Sequence, residues 1–242
     1  MPRKKVQHRE SSYFAHRERQ RRRILDAART LFDTRGIDRV TMAEITLGSG
    51  VQPSTMYQYF SNKDEIVWAL LTDSMQEDVV HMGLQIASAT TALEKMTALF
   101  EFMVDGLVNN PAKIRFMAQF DAMYARDWPA ERLITLETQI NPEGFQGFSQ
   151  LIREGIADGS LRSDLDPNLT MHAVMNAIIG AQRRLASLGN KIEKEYGEPV
   201  DRLFRETIRV LLLGLRAPED PRPRPARKTQ TIAKARNRKR SS

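Results

Sequence analysis

Ile24-Leu25-Asp26-Ala27-Ala28-Arg29-Thr30-Leu31-Phe32, Thr41-Met42-Ala43-Glu44-Ile45 and Pro53-Ser54-Thr55-Met56-Tyr57-Gln58-Tyr59-Phe60 are the three runs that decide the fold. In the first, Ile24, Leu25, Ala28, Leu31 and Phe32 recur at helical spacing, and Gly36 is placed to end the helix as a left-handed cap. Thr41 and Glu44 have the form of a capping box, each side chain satisfying a backbone donor that the helix start would leave unpaired. A second helix therefore begins at Thr41, and Gly48 and Gly50 are expected to stop it. Gln52-Pro53 opens a short third helix, because the fixed φ of proline suits the first turn and its missing N–H has no partner there. Ser61-Asn62-Lys63-Asp64-Glu65 begins a fourth, with a polar cap and acids where the helix dipole favours them.

Outward from this stretch, apolar residues keep helical spacing between breaks at Asn110-Pro111, Trp128-Pro129, Asn141-Pro142, Asp158-Gly159, Asp166-Pro167 and Gly197 to Pro199. Strand alternation and fixed-period repeats do not stand out. The expected fold is all-α with about nine or ten helices. An N-terminal three-helix helix-turn-helix arrangement is expected, followed by a larger helical body. Two short helices joined by a tight glycine turn place the second helix in a DNA major groove.

The 242 residues, 41% hydrophobic and 28% charged, suffice for a real core. The absence of cysteine excludes disulfides, thiolate metal sites and cysteine nucleophiles, and a reducing cytosol is the simplest setting. No run of 18 apolar residues occurs, and the basic N-terminus leads into charged residues rather than the apolar stretch of a signal peptide. A cytoplasmic protein without a membrane partner is expected.

The net charge of +7 conceals two signs. Residues 1–23 carry nine Lys and Arg against two acids, and residues 217–242 carry another nine against two. The remainder holds 19 basic and 26 acidic side chains, a balance of −7. The chain thus reads as a flexible basic arm (1–16), a helix-turn-helix domain (17–66), an acidic helical body (67–216) and a disordered basic tail (217–242) rich in proline.

From Ile24 to Phe32, through Gly36, Thr41 to Ile45, Gly50-Val51 and Thr55 to Phe60, to Asn62-Lys63-Asp64-Glu65, the order and spacing closely resemble the N-terminal domain of the TetR family of bacterial transcriptional regulators. The resemblance spans residues 20–70, about a fifth of the chain. It departs from the family at Gly48-Ser49-Gly50-Val51-Gln52, where Ala-Ala-Gly-Val-Ser is common, and at Thr46, where alanine is common. Gln52 replaces a serine cap just where the recognition helix begins. The resemblance implies a dimeric repressor in which the helix-turn-helix domain is followed by a larger helical ligand-binding and dimerisation domain; the leading reading is a homodimer that binds a palindromic operator on double-stranded DNA and is released by a small apolar or amphipathic effector.

Candidate base contacts are Gln52, Pro53, Ser54, Thr55 and Gln58, on the early exposed face of the third helix; glutamine suits the adenine edge. Thr41, Tyr57, Tyr59 and Lys63 resemble positions that hold phosphates or brace the helix, and Arg21, Arg22 and Arg23 lead into the head from the basic arm. Met56 and Phe60 read better as core, and Thr41 is a helix cap under either role.

The body names its ligand less clearly. Met103, Phe116, Phe120 and Phe148 belong to a methionine- and aromatic-rich stretch that can line an adaptable pocket and equally make an ordinary core. Asp121 and Tyr124 lie in apolar surroundings, and His172 and Asn176 share a helix face. These are the candidate ligand contacts, with an interhelical hydrogen bond the alternative for His172. Dimerisation is expected through the two long helices at about 166–188 and 199–215, where Gly180-Ala181 permits close approach. The competing reading is an architectural or partner-recruiting DNA-binding protein without an effector, favoured by the basic ends. Scattered His8, His16, His81 and His172, no triad order and no phosphate-cradling loop argue against an enzyme; no cofactor or metal is expected.

Overall fold

The computed structural model describes the backbone of residues 3–142 and 144–218, and the side chains of 14–142 and 147–218. Among the described residues the chain forms eleven helices: α1 (Arg3–Arg35), α2 (Met42–Ser49), α3 (Pro53–Tyr59), α4 (Lys63–Ile86), α5 (Ala92–Asn109), α6 (Pro111–Asp127), α7 (Ala130–Ile140), α8 (Gly144–Ala157), α9 (Pro167–Leu188), α10 (Asn190–Tyr196) and α11 (Val200–Leu215). The all-α expectation holds. The short α10, opened by Gly189, is the helix that apolar spacing does not announce.

The capping signals act as the sequence implies. Thr41 accepts from the Glu44 N–H at 3.3 Å, and Glu44 accepts from the Thr41 N–H at 2.8 Å. Arg35 adds an ion pair to Glu44 at 2.7 Å. These bonds, the backbone N–H of Thr41 foremost, hold the Glu44 carboxyl at a pKa of about 2. Asn62 caps α4 by accepting from Glu65 N–H at 3.0 Å. Gly50 ends α2 at φ 63°, a left-handed conformation that glycine adopts without a Cβ clash. Gly48, expected to stop the helix, instead lies inside it. Its neighbours there are Ala27 and Leu31 of α1, so it serves helix approach rather than termination.

Residues 3–16, expected as a flexible arm, continue α1 as helix from Arg3. Neither glycine nor proline interrupts residues 3–35, and Arg, Lys, Glu and Gln are good helix formers. Residues 219–242, the bulk of the expected tail, lie outside the described residues. Ala217 is tied down, its N–H reaching Ser160 O at 3.1 Å beside the Leu161 to Arg216 bridge.

Two hydrophobic clusters organise the molecule. The second joins α5, α8, α9 and α11 around Met96, Phe100, Ile152, Ile178 and Phe204. The first holds Ile24, Ala28, Phe32, Ile45 and Met56 of the head together with Ile66 to Leu71 of α4 and Phe116, Phe120 and Met123 of α6. The domain boundary expected at residues 66 and 67 therefore falls inside one continuous core. One face of α1 and the two short helices α2 and α3 have too little apolar surface to close a core of their own, and α6 supplies the missing wall.

That wall is aromatic and polar in turn. Phe116 stacks on Phe32 with ring centroids 6.4 Å apart, and Phe120 meets Trp68 edge-on at 5.3 Å and stacks on Trp128 at 5.6 Å. Gln119 accepts from Ile37 N–H at 2.8 Å, completing the turn after α1, while Arg115 pairs with Asp33 at 2.6 Å. Phe120→Ala should cost about 3–5 kcal/mol, read as a lowered urea midpoint by far-ultraviolet circular dichroism. A second expectation concerns acid. The folded-state pKa of Glu44 is depressed, so its contribution is full above the ordinary 4.5 and is lost as pH falls towards about 2. Glu44→Gln should flatten the loss of melting temperature between those two pH values.

Candidate nucleic-acid interface and effector cavity

The outer face of α3 follows from what its inner face must bury. Met56 is wholly buried and Phe60 nearly so, which anchors one side of the helix in the first cluster. Gln52, Pro53, Ser54, Tyr57 and Gln58 then face outward, and Thr55 is half-buried at the edge. Gln52 caps α3 with its backbone alone and makes no side-chain cap bond, so its amide is turned to no helix donor. Five of the expected base- and phosphate-contact residues thus share one exposed surface, with Tyr57 60% exposed at its centre.

Other expected phosphate contacts are engaged within the protein. Lys63 donates to Ile37 O at 2.8 Å and to Asp38 O at 3.5 Å, bracing the turn between α1 and α2. Arg21 grips both carboxylate oxygens of Asp73 on α4, at 3.3 and 3.1 Å. Helical spacing in α1 turns Arg21 inward to α4 and leaves Arg22 exposed. Arg23 reaches Gly50 O at 3.4 Å, at the turn itself. Tyr59 is half-buried beneath the Arg17 guanidinium, 5.5 Å from its ring centre. Thr41 is exposed and keeps its cap. Ser49, substituted for the family's alanine, is buried and donates to Thr46 O at 2.9 Å, while Thr46 donates to Met42 O at 2.7 Å. Both hydroxyls are absorbed by α2 itself, so these departures leave the packing intact.

Behind the head, a cavity of about 400 Å³ opens between α4, α7 and α8. Met75, Val79, Met82, Ile134, Ile140 and Phe148 give it apolar walls, and Asp78, Glu137, Thr138 and Asn141 are its polar lining. Asp78 is matched by Lys113 at 2.7 Å. Burial pushes the Glu137 carboxyl pKa up. A neighbouring chamber shares Met82, Asn141 and Phe148 and extends towards Lys95, which is paired with Glu154 at 3.0 Å.

Of the eight expected ligand contacts, Phe148 lines this cavity. Asp121, Tyr124 and Asn176 border a separate groove between α6 and α9, where Asp121 is ion-paired with Arg183. Phe116 and Phe120 are consumed by the head-to-body core, because the small head needs them. Met103 packs on the second cluster, and its carbonyl accepts from the buried Gln182 at 2.6 Å. His172 and Asn176 lie on the exposed face of α9, where Asn176 donates to His172 O at 2.8 Å. What residue-by-residue reasoning missed is α7: Glu137 stands among Ile134, Leu136 and Ile140 as Asp121 stands among phenylalanines. The same criterion, a charge in an apolar run, would have found it.

A sequence model described as bacterial regulatory proteins of the tetR family matches residues 24–70, the stretch that builds the head and the first turns of α4. The chain is 30% identical over 146 residues to the HTH-type transcriptional repressor KstR2 of Mycolicibacterium smegmatis, covering 60% of this chain and 69% of that protein. Its fold is shared with the ketosteroid transcriptional regulator KstR2 of Mycobacterium tuberculosis, with a TM-score of 0.61 at 20% identity over 82% of this chain and 95% of that one. The fatty acid degradation regulator FadR of Bacillus halodurans also shares it, with a TM-score of 0.61 at 22% identity over 82% of this chain and 97% of that one. With a matched head and a relative similar over most of its length, the chain belongs to the tetR family of bacterial regulatory proteins, transcriptional repressors whose role is to bind DNA rather than to catalyse a reaction.

Proposed function

We propose that the protein is a homodimeric, ligand-responsive repressor that reads a palindromic operator through α3. The observation that carries this reading is the sharing of α4 between two sites. Its first turn is bonded into the head by Lys63, and its middle, at Met75, Val79 and Met82, forms one wall of the cavity. An occupant that spreads α4 from α7 alters where the head sits. Such an effector acts only through its differential affinity for the two head positions, with a coupling of roughly 1–3 kcal/mol typical. The predominantly apolar walls favour an apolar or amphipathic molecule. Proteins of the same fold named as a ketosteroid transcriptional regulator and a fatty acid degradation regulator are in keeping with the same class.

Gln52, Pro53, Ser54, Thr55 and Gln58 read base edges in this scheme. Tyr57, Thr41 and Arg22 hold phosphates, with Arg23 beside the turn. Tyr59, Lys63 and Arg21 act by bracing.

Dimerisation through α9 and α11 is supported by their outward faces. Ala173, Ala177 and Gly180 make a narrow exposed stripe on α9, and Leu169, Val210 and Leu213 are each at least half exposed. Small residues let helices of two copies approach, and the apolar side chains gain by burial. Two heads about 34–36 Å apart then match successive major grooves.

Gel shifts on the DNA upstream of the gene test the scheme. Gln58→Ala should cost about 1–3 kcal/mol at one base position and relax the choice there. Arg22→Ala should weaken binding to every site alike and lower the slope of log affinity against log salt by about 1. Val210→Glu combined with Leu213→Glu should halve the mass measured by sedimentation and abolish binding to a full palindrome. Equal affinity for operator and scrambled DNA would defeat the proposal.

A further inference from the structure

We propose that the cavity between α4, α7 and α8 takes an apolar organic amine, with the Glu137 carboxylate as the partner of its ammonium group. The proposal rests on reading this cavity as the effector site, and it sharpens that reading to a charge type.

Among the described residues the lining contains two carboxylates and no Lys, Arg or His. The two acids differ in what they already have. Asp78 is paired with Lys113, whose ammonium lies 2.7 Å from Asp78 and 3.9 Å from Glu77 and also donates to Ser74 O at 3.2 Å. Lys113 is itself well covered, its side chain 15% exposed, so this pair is part of the scaffold. Glu137 has no hydrogen bond or ion pair from its carboxylate among the described side chains, although it is half-buried. The cation of the adjoining chamber, Lys95, is matched by Glu154. One formal negative charge therefore remains unmatched on the cavity wall.

A half-buried carboxylate without a partner is costly, and the cost is relieved by an opposite charge brought in with good geometry. An entering ammonium supplies that charge and donates up to three hydrogen bonds. Met75, Val79, Met82, Ile134 and Phe148 cover an apolar chain or ring attached to it. At about 400 Å³ the space lies within the range of roughly 300–1,000 Å³ for small-molecule sites. A fatty-acid anion would set its carboxylate against Glu137 and find no free cation in the lining. A neutral alcohol would fill the walls and leave the charge unanswered. The amine alone satisfies both the apolar surface and the acid.

Isothermal titration calorimetry of the full chain with decylamine, decanol and decanoate at pH 7 tests this, with the wild type and Glu137→Gln compared. Decylamine should bind the wild type roughly tenfold to a hundredfold more tightly than either other probe. Glu137→Gln should erase that preference while leaving decanol binding unchanged, which also shows that the variant is folded. Decanoate binding as tightly as decylamine, or a preference that survives Glu137→Gln, would overturn the proposal. Gel shifts with the same probes separate it from the wider reading. Glu137-dependent decylamine binding that leaves operator affinity unchanged sustains the amine site and removes its regulatory role. Release of DNA by decanol and decanoate as strongly as by decylamine keeps the effector response and removes the amine preference.

Discussion

The insertion of α6 into the open side of the head is the interaction on which the rest depends. Phe116 and Phe120 enter the same buried cluster as Ile24, Phe32, Ile45 and Met56, and Gln119 between them completes the backbone bonding of the turn at Ile37. A three-helix head with α3 pushed outward to the solvent has apolar surface on one side only. Burying it against α6 contributes stability of the kind that a single aromatic truncation reports. The polar fringe then fixes orientation: Arg115 to Asp33, Arg126 to Asp38 and Arg21 to Asp73 each join α1 or its following turn to a body helix. Such half-exposed pairs contribute little energy each, and their value is geometric.

The same seam extends to α7. Trp128, the cap of α6, donates its indole N–H to Asp64 at 3.2 Å, in the first turn of α4. Arg132 of α7 lies over the Trp68 ring at 4.1 Å and over Trp128 at 5.8 Å. Within the next turn and a half of α7, Ile134 and Glu137 face the cavity. Head and cavity thus share α4 on one side and α7 on the other, with a packed aromatic group between them. Close-packed groups of this kind shift as units rather than deform smoothly, which is the condition for a small displacement at the cavity to reach α3.

Charge follows the same division. The net +7 resolves into two basic ends and a body at −7, so attraction to a polyanion resides at the ends of the chain, and the N-terminal one leads directly into the head. Within that side the cations are sorted by helix face: Arg21 is committed to Asp73, Arg23 to the turn carbonyl of Gly50, and Arg22 remains outward. The acidic character of the body reappears in miniature in the cavity, whose lining, among the described residues, holds carboxylates and no cation.

The sequence by itself determined the local structure of the head. Thr41 with Glu44, Pro53 after Gln52, Asn62 with Glu65 and the glycines at 36 and 50 act through neighbours three or four residues away, so their chemistry is visible in one dimension. Helical spacing likewise separated Met56 and Phe60 from Gln52, Ser54 and Gln58. Tertiary structure alone decided which body residues are core and which are cavity. Phe116, Phe120 and Phe148 look alike in the chain, yet the first two close the head and the third lines the cavity, because their roles depend on which helix arrives opposite. Lys63 and Arg21 show the same limit: a cation in a DNA-binding head is drawn to phosphate in prospect, but carbonyls and a carboxylate placed within 3.5 Å by packing claim it first.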